Sequence, residues 1–222
     1  MDQPLYVFDM DETLINADCA MLWHQFLVER HIATDPNFLT EDQRLMALYA
    51  KGELDMADYL TFSIEPIRHL SVEQVNQLAD QCVVEKILPR LFPQAKQLIE
   101  KLHQQTCTML IISASVSFLV QAVAKKIGIK QAIGIDLVTK NNRYTPEILG
   151  TPSYQQGKVI RLQQWCEQHQ ERFSEVHFYT DSINDLPLCE FADQAYLINP
   201  CPRLLKHAQN KSWQILAWGA TI

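Results

Sequence analysis

The sequence predicts an α/β fold: a three-layer core with a parallel sheet and helices on both faces, interrupted after its first strand by a helical segment. Three observations carry this. A short apolar run, Leu5-Tyr6-Val7-Phe8, breaks off at an acidic loop. From about residue 16 to residue 85 apolar residues recur at helical spacing with no convincing strand. Beyond Pro89 strand and helix patterns alternate, as a parallel sheet covered on both sides requires. The 222 residues suffice to bury such a core. There is no internal repeat and no linker of biased composition. The first strand is too short to stand alone, so the helical stretch reads as an insert: residues 1–15 and 86–222 form the expected core, 16–85 the insert.

Within the insert Cys19, Trp23, Phe26 and Leu27 share one helical face. Leu45, Leu48 and Tyr49 repeat the pattern until Lys51-Gly52 stops it. Met56, Tyr59, Leu60, Ser63 and Ile64 continue to Pro66. Ser71-Val72-Glu73-Gln74 has the form of a capping box before Val75, Leu78, Ala79 and Cys82. In the core, a helix carries Ala95, Leu98, Ile99 and Leu102, and a strand over Thr108–Ile112 ends at Ser113. A helix with Val116, Leu119, Val120 and Val123 stops at Gly128. One strand is expected from Ala132 to Val138, followed by a hairpin turn at Lys140-Asn141-Asn142-Arg143, because Asn tolerates positive φ. A helix over about 157–169 precedes the strand Val176–Tyr179, and Ala195–Ile198 is the last expected strand. Trp213 and Trp218 are expected to pack a terminal strand or helix.

Composition narrows the function. With 26 acidic and 19 basic residues the net charge is −7, which argues against a nucleic-acid binder, since that needs a basic stripe. No apolar run reaches the ~18 residues of a membrane span. The start, Met1-Asp2-Gln3-Pro4, has no basic n-region of a signal peptide. Six cysteines without CxxC pairing then predict reduced thiols and a cytoplasmic protein. Seven histidines without HxH or HExxH pairing speak against zinc. Gly150 to Lys158 only imitates a P-loop: its spacing is wrong, and Val159 stands where Ser or Thr is required.

In open α/β sheets ligands bind beyond the carboxyl ends of the strands. Three expected strands end in polar groups, Asp9/Asp11, Ser113 and Asp181/Asp185, and Lys158 opens a helix between the last two. Carboxylates gathered in one cleft repel each other, and a hard dication with oxygen ligands, Mg²⁺, relieves this. Ser113 and Lys158 would bind phosphate oxygens. Asp9 would attack phosphorus to form an aspartyl-phosphate, and Asp11 would protonate the leaving alkoxide and later deprotonate water.

These residues resemble the haloacid dehalogenase superfamily of phosphohydrolases. Asp9-Met10-Asp11-Glu12-Thr13 looks like its DxDxT loop. Ser113 resembles its second motif, Lys158 the third, and Asp181-Ser182-Ile183-Asn184-Asp185 the DSxND form of the fourth. The resemblance implies a Rossmann-like core, a type 1 helical cap, and Mg²⁺ as cofactor. It implies that Asp9, Asp11 (through its backbone carbonyl) and Asp181 hold the metal. Asp185 is implied at the metal, its waters or Lys158, and Asn184 at the substrate phosphate. Within the superfamily the phosphoserine phosphatase-like group is the nearest in appearance. Leu186-Pro187-Leu188 and Asn199-Pro200-Cys201-Pro202-Arg203-Leu204 resemble its bacterial branch with histidinol-phosphate phosphatases. Thr61 aligns with the cap arginine that phosphoserine phosphatases use for the substrate carboxylate, Arg68 being the nearest arginine. Asp18 stands where that group keeps an acid facing the substrate amine. An amino-alcohol phosphate such as histidinol phosphate therefore fits better than phosphoserine.

The expected function is a Mg²⁺-dependent phosphomonoesterase of a small phosphorylated metabolite, monomer or homodimer, with no membrane or nucleic-acid partner. Phosphoserine hydrolysis, phosphotransfer on the same aspartyl-phosphate and non-catalytic binding of a phosphorylated ligand are the alternatives. Taken singly, the residues have plainer readings: Asp9 and Asp11 in a turn, Ser113 or Ser115 as a helix N-cap, Lys158 as a solvated helix residue, Asn184 as a turn residue, Asp185 and Asp18 as caps.

Overall fold

The computed structural model describes residues 3–169 and 172–219. Six strands form one parallel sheet: β1 (Gln3–Phe8), β2 (Thr108–Val116), β3 (Gln131–Ile135), β6 (Phe173–Thr180), β7 (Gln194–Ile198) and β8 (Gln214–Leu216), in the order β3-β2-β1-β6-β7-β8. The chain fills one side of β1 first and then crosses to the other. This places a topological switch point beside β1, where open sheets bind ligands.

Strand alternation sends side chains to two cores. Leu5, Val7, Leu110, Ile112 and Phe178 face α7 (Gln156–His169), α8 (Leu186–Phe191) and α9 (Pro202–Ala208). Phe8, Met109 and Ile111 face α5 (Pro93–Gln104) and α6 (Ser117–Ile127) in a second core that continues into the helical segment. That segment holds α1 (Cys19–Glu29), α2 (Phe38–Lys51), α3 (Met56–Ile64) and α4 (Val72–Cys82). Gly52, at φ 75°, ends α2 with the left-handed cap expected of it, and both hydrogen bonds of the Ser71/Gln74 capping box form.

The structure departs from the sequence expectations in the middle of the chain. The single strand expected over 132–138 is two. β3 stops at Ile135, and after Asp136 the chain leaves the sheet as β4 (Leu137–Lys140). β4 pairs antiparallel with β5 (Arg143–Ile148), an element the sequence reading left unassigned. Asp136 makes the corner because long-range partners hold it: Arg161 at 2.7 Å and the hydroxyl of Ser117. The turn at Asn141 and Asn142 forms with both φ angles positive. β2 runs past Ser113 to Val116, its pairing with β3 shifting register between Ile112 and Val116. Gly134 permits this, since a Cβ there would fall 2.7 Å from the Ser115 carbonyl oxygen. β8 is a strand beyond the last one expected, and it ends between Trp213 and Trp218.

Candidate active site

Asp9 follows directly on β1, the central strand with β2 on one flank and β6 on the other. Its N–H donates to the Tyr179 carbonyl at 2.9 Å, extending the ladder so that its side chain emerges at the sheet's carboxyl edge. The loop then turns sharply. Glu12 takes φ 52°, Leu14 and Ile15 both donate to the Met10 carbonyl, and Met10, Thr13 and Leu14 are buried beneath it. A non-glycine residue in the left-handed region is a local cost that a tightly packed functional loop sustains.

Three predicted residues, Lys158, Asp9 and Asp185, meet here through one ammonium, and a fourth, Asp181, stands beside them. Lys158 donates to Asp9 Oδ1 at 2.8 Å, and to both oxygens of Asp185 at 2.7 and 2.8 Å. Thr180 adds a 2.7 Å bond to Asp185. Burial opposes the charge on Lys158, but Asp185 and Asp9 outweigh it and hold its pKa above the ordinary value. Asp181, following β6, accepts from Thr13 at 3.3 Å. Burial, then repulsion from Asp9 and Asp185, pushes the Asp181 carboxyl well up. Burial likewise pushes Asp9 up to about 7 against the pull of Lys158, with Asp185 and Asp11 adding to the rise. The site thus carries more buried negative charge than its lysine balances.

Lys158 reaches this point because α7 starts in a tight place. A Cβ on Gly157 would lie 1.9 Å from the Pro152 carbonyl oxygen, so only glycine lets the helix begin there. Buried Ser153 ties the same loop to the sheet, donating to the Ser113 carbonyl at 2.6 Å.

Asp11 is held apart from this group by its own donors. Its Oδ1 accepts from the Cys19 amide at 2.6 Å, and its Oδ2 from Ser113 at 3.2 Å and Ser115 at 3.1 Å. Neither serine caps α6, whose first turn has no side-chain cap. Ser115, which the sequence alone offers only as a competing cap, joins the candidate site through Asp11. Its signal was the alternation of Ser113 and Ser115 on one face of a strand that runs longer than expected.

Asn184 donates to the Tyr49 carbonyl at 3.1 Å, beneath the C-terminal turn of α2, where a Cβ on Gly52 would sit 3.5 Å from its Oδ1. Arg203 grips the same turn, donating to the Lys51 carbonyl at 2.9 Å. Asp18 caps α1, accepting from Met21 N at 2.9 Å, and also lines a small cavity of about 40 Å³ with Asp11, Tyr49, Met56, Tyr59 and Ser115. Its capping role and its place on the cavity wall coexist. Burial and then repulsion from Asp11 push Asp18 up to about 7. Among the described residues lining this cavity there is no Arg, Lys or His. Thr61 and Arg68 do not face it. They line an open hollow of about 820 Å³ on the far side of the helical segment, with Thr61 bonded to the Ala57 carbonyl and Arg68 paired with Glu65. The alignment of Thr61 with a substrate-facing position is therefore corrected: two residues on from Tyr59, it lies on the opposite face of α3.

The model of the haloacid dehalogenase-like hydrolases matches residues 6–190. The chain belongs to this family. As a haloacid dehalogenase-like hydrolase it is an enzyme, a phosphatase among phosphatase relatives. It is 32% identical to a histidinol-phosphatase of Neisseria meningitidis over 216 residues, 96% of this chain and 97% of that one. A crystal structure of a protein of unknown function from Bordetella pertussis is 30% identical, with a TM-score of 0.88 over 97% of this chain and 99% of that one. The fold also matches a phosphoserine phosphatase solved as a phospho-aspartyl intermediate analogue, at 18% identity and a TM-score of 0.68 over 97% of this chain and 94% of that one. Among the described residues no helix is long and apolar enough to cross a membrane.

Proposed function

We propose that this hydrolase cleaves the phosphate monoester of a small amino alcohol, histidinol phosphate being the favoured substrate, through a phosphorylated Asp9, with Mg²⁺ as cofactor. The observation that carries the reading is the pairing of two adjacent environments. One is a lysine-bound nucleophile at the switch point of the sheet. The other is a cavity beside it lined by Asp11 and Asp18 and by no cation. The histidinol-phosphatase relative supports the same substrate.

The donor set fits Mg²⁺. Asp9, Asp181 and Asp185 stand against one ammonium, and burial first, then repulsion among these carboxylates, raises the pKa values of Asp9 and Asp181, a strain that a dication on hard oxygen donors would relieve. Among the described residues no three His, Cys, Asp or Glu side chains converge as a ready-made cage. A sparse site of the Asp9 and Asp181 carboxylates, the Asp11 backbone carbonyl and water suits Mg²⁺, which keeps much of its hydration. Both oxygens of Asp185 are taken by Lys158, so Asp185 acts by holding the lysine. When bound, the metal neutralises and orients phosphate oxygens.

In the first step an Asp9 oxygen forms a bond to phosphorus while the bond from phosphorus to the ester oxygen breaks. Asp11, aimed by Ser113, Ser115 and the Cys19 amide, gives its proton to the departing alkoxide. In the second step Asp11 takes a proton from water, whose oxygen attacks phosphorus and frees Asp9 and inorganic phosphate. Lys158 balances charge on the phosphoryl oxygens throughout. Residues 16–85 act as a cap in this reading. A cavity of about 40 Å³ holds a few waters and not a metabolite, so the cap moves outward to admit substrate and closes to exclude water. Its contacts through Asn184 and Arg203 are those of the closed state.

The test is a Mg²⁺-supplemented screen of amino-alcohol, amino-acid, sugar and nucleoside monophosphates. Histidinol phosphate is expected to give the highest kcat/KM, and phosphoserine exceeding it widely would overturn the substrate. Asp9→Asn is expected to abolish turnover with an unchanged circular dichroism spectrum. Retained activity in that variant would exclude the covalent route.

A further inference from the structure

The segment Asn199-Pro200-Cys201-Pro202-Arg203-Leu204 takes no part in the phosphoryl chemistry, yet it touches both the core and the helical segment. Its lower end is anchored. Asn199, at φ 42°, exchanges two hydrogen bonds with the Trp218 backbone at 3.0 and 3.1 Å, and its own N–H donates to the Leu216 carbonyl at 3.0 Å. Leu204 is buried among the side chains under α7 and α8. Between them the Cys201 N–H donates to the Asp181 carbonyl at 2.9 Å, so the segment braces the loop that brings Asp181 to the site.

From the same turn Arg203 reaches the other way. It donates to the carbonyls of Lys51 at 2.9 Å and Ala50 at 3.5 Å, and Asn184 donates to that of Tyr49 at 3.1 Å. These are the last three carbonyls of α2. Such carbonyls lack partners within their helix and form the negative end of its dipole, so a guanidinium suits them. The same turn carries Tyr49, which lines the cavity beside Asp11, with Met46 one turn earlier. Where the turn is seated therefore decides where that wall of the cavity stands.

The two sides of the helical segment are fastened differently. Its two connections to the core pair with each other at Ile15 and Leu91, with backbone bonds from Asn16 to Arg90 and from Phe92 to Leu14. The β4–β5 turn holds α4: the Val72 N–H donates to the Asn142 carbonyl at 3.0 Å, the Asn142 side chain to Glu73 at 2.9 Å, and the Tyr144 hydroxyl to Asn76 at 3.2 Å. The α2 side is gripped by the Asn184 and Arg203 side chains, and Arg203 is exposed. Bonds from an exposed side chain are readily traded for water.

We propose that the segment from Asn199 to Leu204 is a strut between the Asp181 loop and α2, with Arg203 as a positioning residue that holds the α2 side closed over the site. The cap then opens from that side and pivots on α4. This rests on the reading of residues 16–85 as a cap over Asp9, and it applies to any leaving group.

The experiment is amide hydrogen exchange over residues 48–56 and 72–82 of the full chain with Mg²⁺, with and without beryllofluoride, an analogue of the phosphoryl group on Asp9. With beryllofluoride, Arg203→Met is expected to raise exchange over 48–56 about three- to tenfold, the worth of an exposed hydrogen bond from a charged donor, and to leave 72–82 as in the wild type. Arg203→Lys, which keeps a cationic donor, is expected to restore most of the protection. The kcat/KM values for histidinol phosphate and p-nitrophenyl phosphate should fall by the same factor in Arg203→Met. Unchanged exchange over 48–56, or an equal rise over both segments, overturns the strut, since the second is general loosening. Where Arg203→Met does not fold, the wild type decides: withdrawing beryllofluoride must release 48–56 more than 72–82, and the reverse or an equal release overturns the proposal. The cap reading fails separately, if beryllofluoride alters exchange in neither segment of the wild type.

Discussion

Replacing Lys158 by Met removes a buried charge and keeps the volume, so the outcome isolates electrostatics. Lys158 is 1% exposed and bonds Asp9 at 2.8 Å and Asp185 at 2.7 Å. Breaking a buried ion pair by removing one partner costs about 3–5 kcal/mol, because the other charge is stranded. That is a large share of the roughly 5–15 kcal/mol that holds a domain together. Here two carboxylates are stranded, yet the penalty depends on their being ionised. Asp9 sits at about 7 in the folded protein, above the ordinary 3.8, even with the lysine present. The folded state therefore holds a proton that the unfolded state has lost between about pH 4 and 7, so stability falls as pH rises through that window. Without Lys158 the window extends further up. Urea denaturation of the metal-free protein, followed by tryptophan fluorescence, should show a deficit for Lys158→Met of about 3–5 kcal/mol at pH 8. At pH 5.5, where Asp9 is protonated and carries no stranded charge, the deficit should be clearly smaller. Adding Asp9→Asn should recover stability at pH 8 and little at pH 5.5. A deficit equal at both pH values would refute the reasoning, since it would mean that the lysine acts through packing.

Gly157→Ala should destabilise the protein by about 1–3 kcal/mol and lower kcat, because the new Cβ meets the Pro152 carbonyl and displaces the first turn of α7 that carries Lys158; thermal unfolding and steady-state kinetics check both. Asp18, pushed up to about 7 by burial and by Asp11, is neutral below that pH. The KM for an amino-alcohol phosphate should therefore fall as pH rises from 6 to 8 relative to an amine-free ester, and Asp18→Asn should abolish the difference. Ser115→Ala removes one of the donors that aim Asp11, and a lost hydrogen bond of about 0.5–1.5 kcal/mol predicts a kcat reduced by roughly two- to tenfold, with KM little changed.

The groups of the candidate site were legible because each is tied to a strand end or a helix start, and such placements follow from local pattern. Asp9, Asp181 and Lys158 needed only β1, β6 and α7 to be recognised for the sheet to bring them together across as many as 172 positions of chain. What the sequence hid depends on contacts between elements. Asp136 looks like an ordinary polar position in a strand, and its corner exists because Arg161 and Ser117 pull on it from α7 and α6. Thr61 was aligned as a pocket residue, yet it is two steps from Tyr59 on a helix, about 200° around the axis, and a pattern that marks a helix does not fix which face meets which neighbour. His24 hydrogen-bonds Asp42 and Ser63 from a third helix, 18 and 39 residues away, and each alone reads as a satisfied core polar group or an exposed one. Chemistry shared by a family is thus written at the ends of its strands, where sequence shows it. Which face of a helix meets which cavity is settled by the packing of helices against each other, and the side chains must be in place before Tyr59, which lines the small cavity, can be distinguished from Thr61, which lines the other hollow.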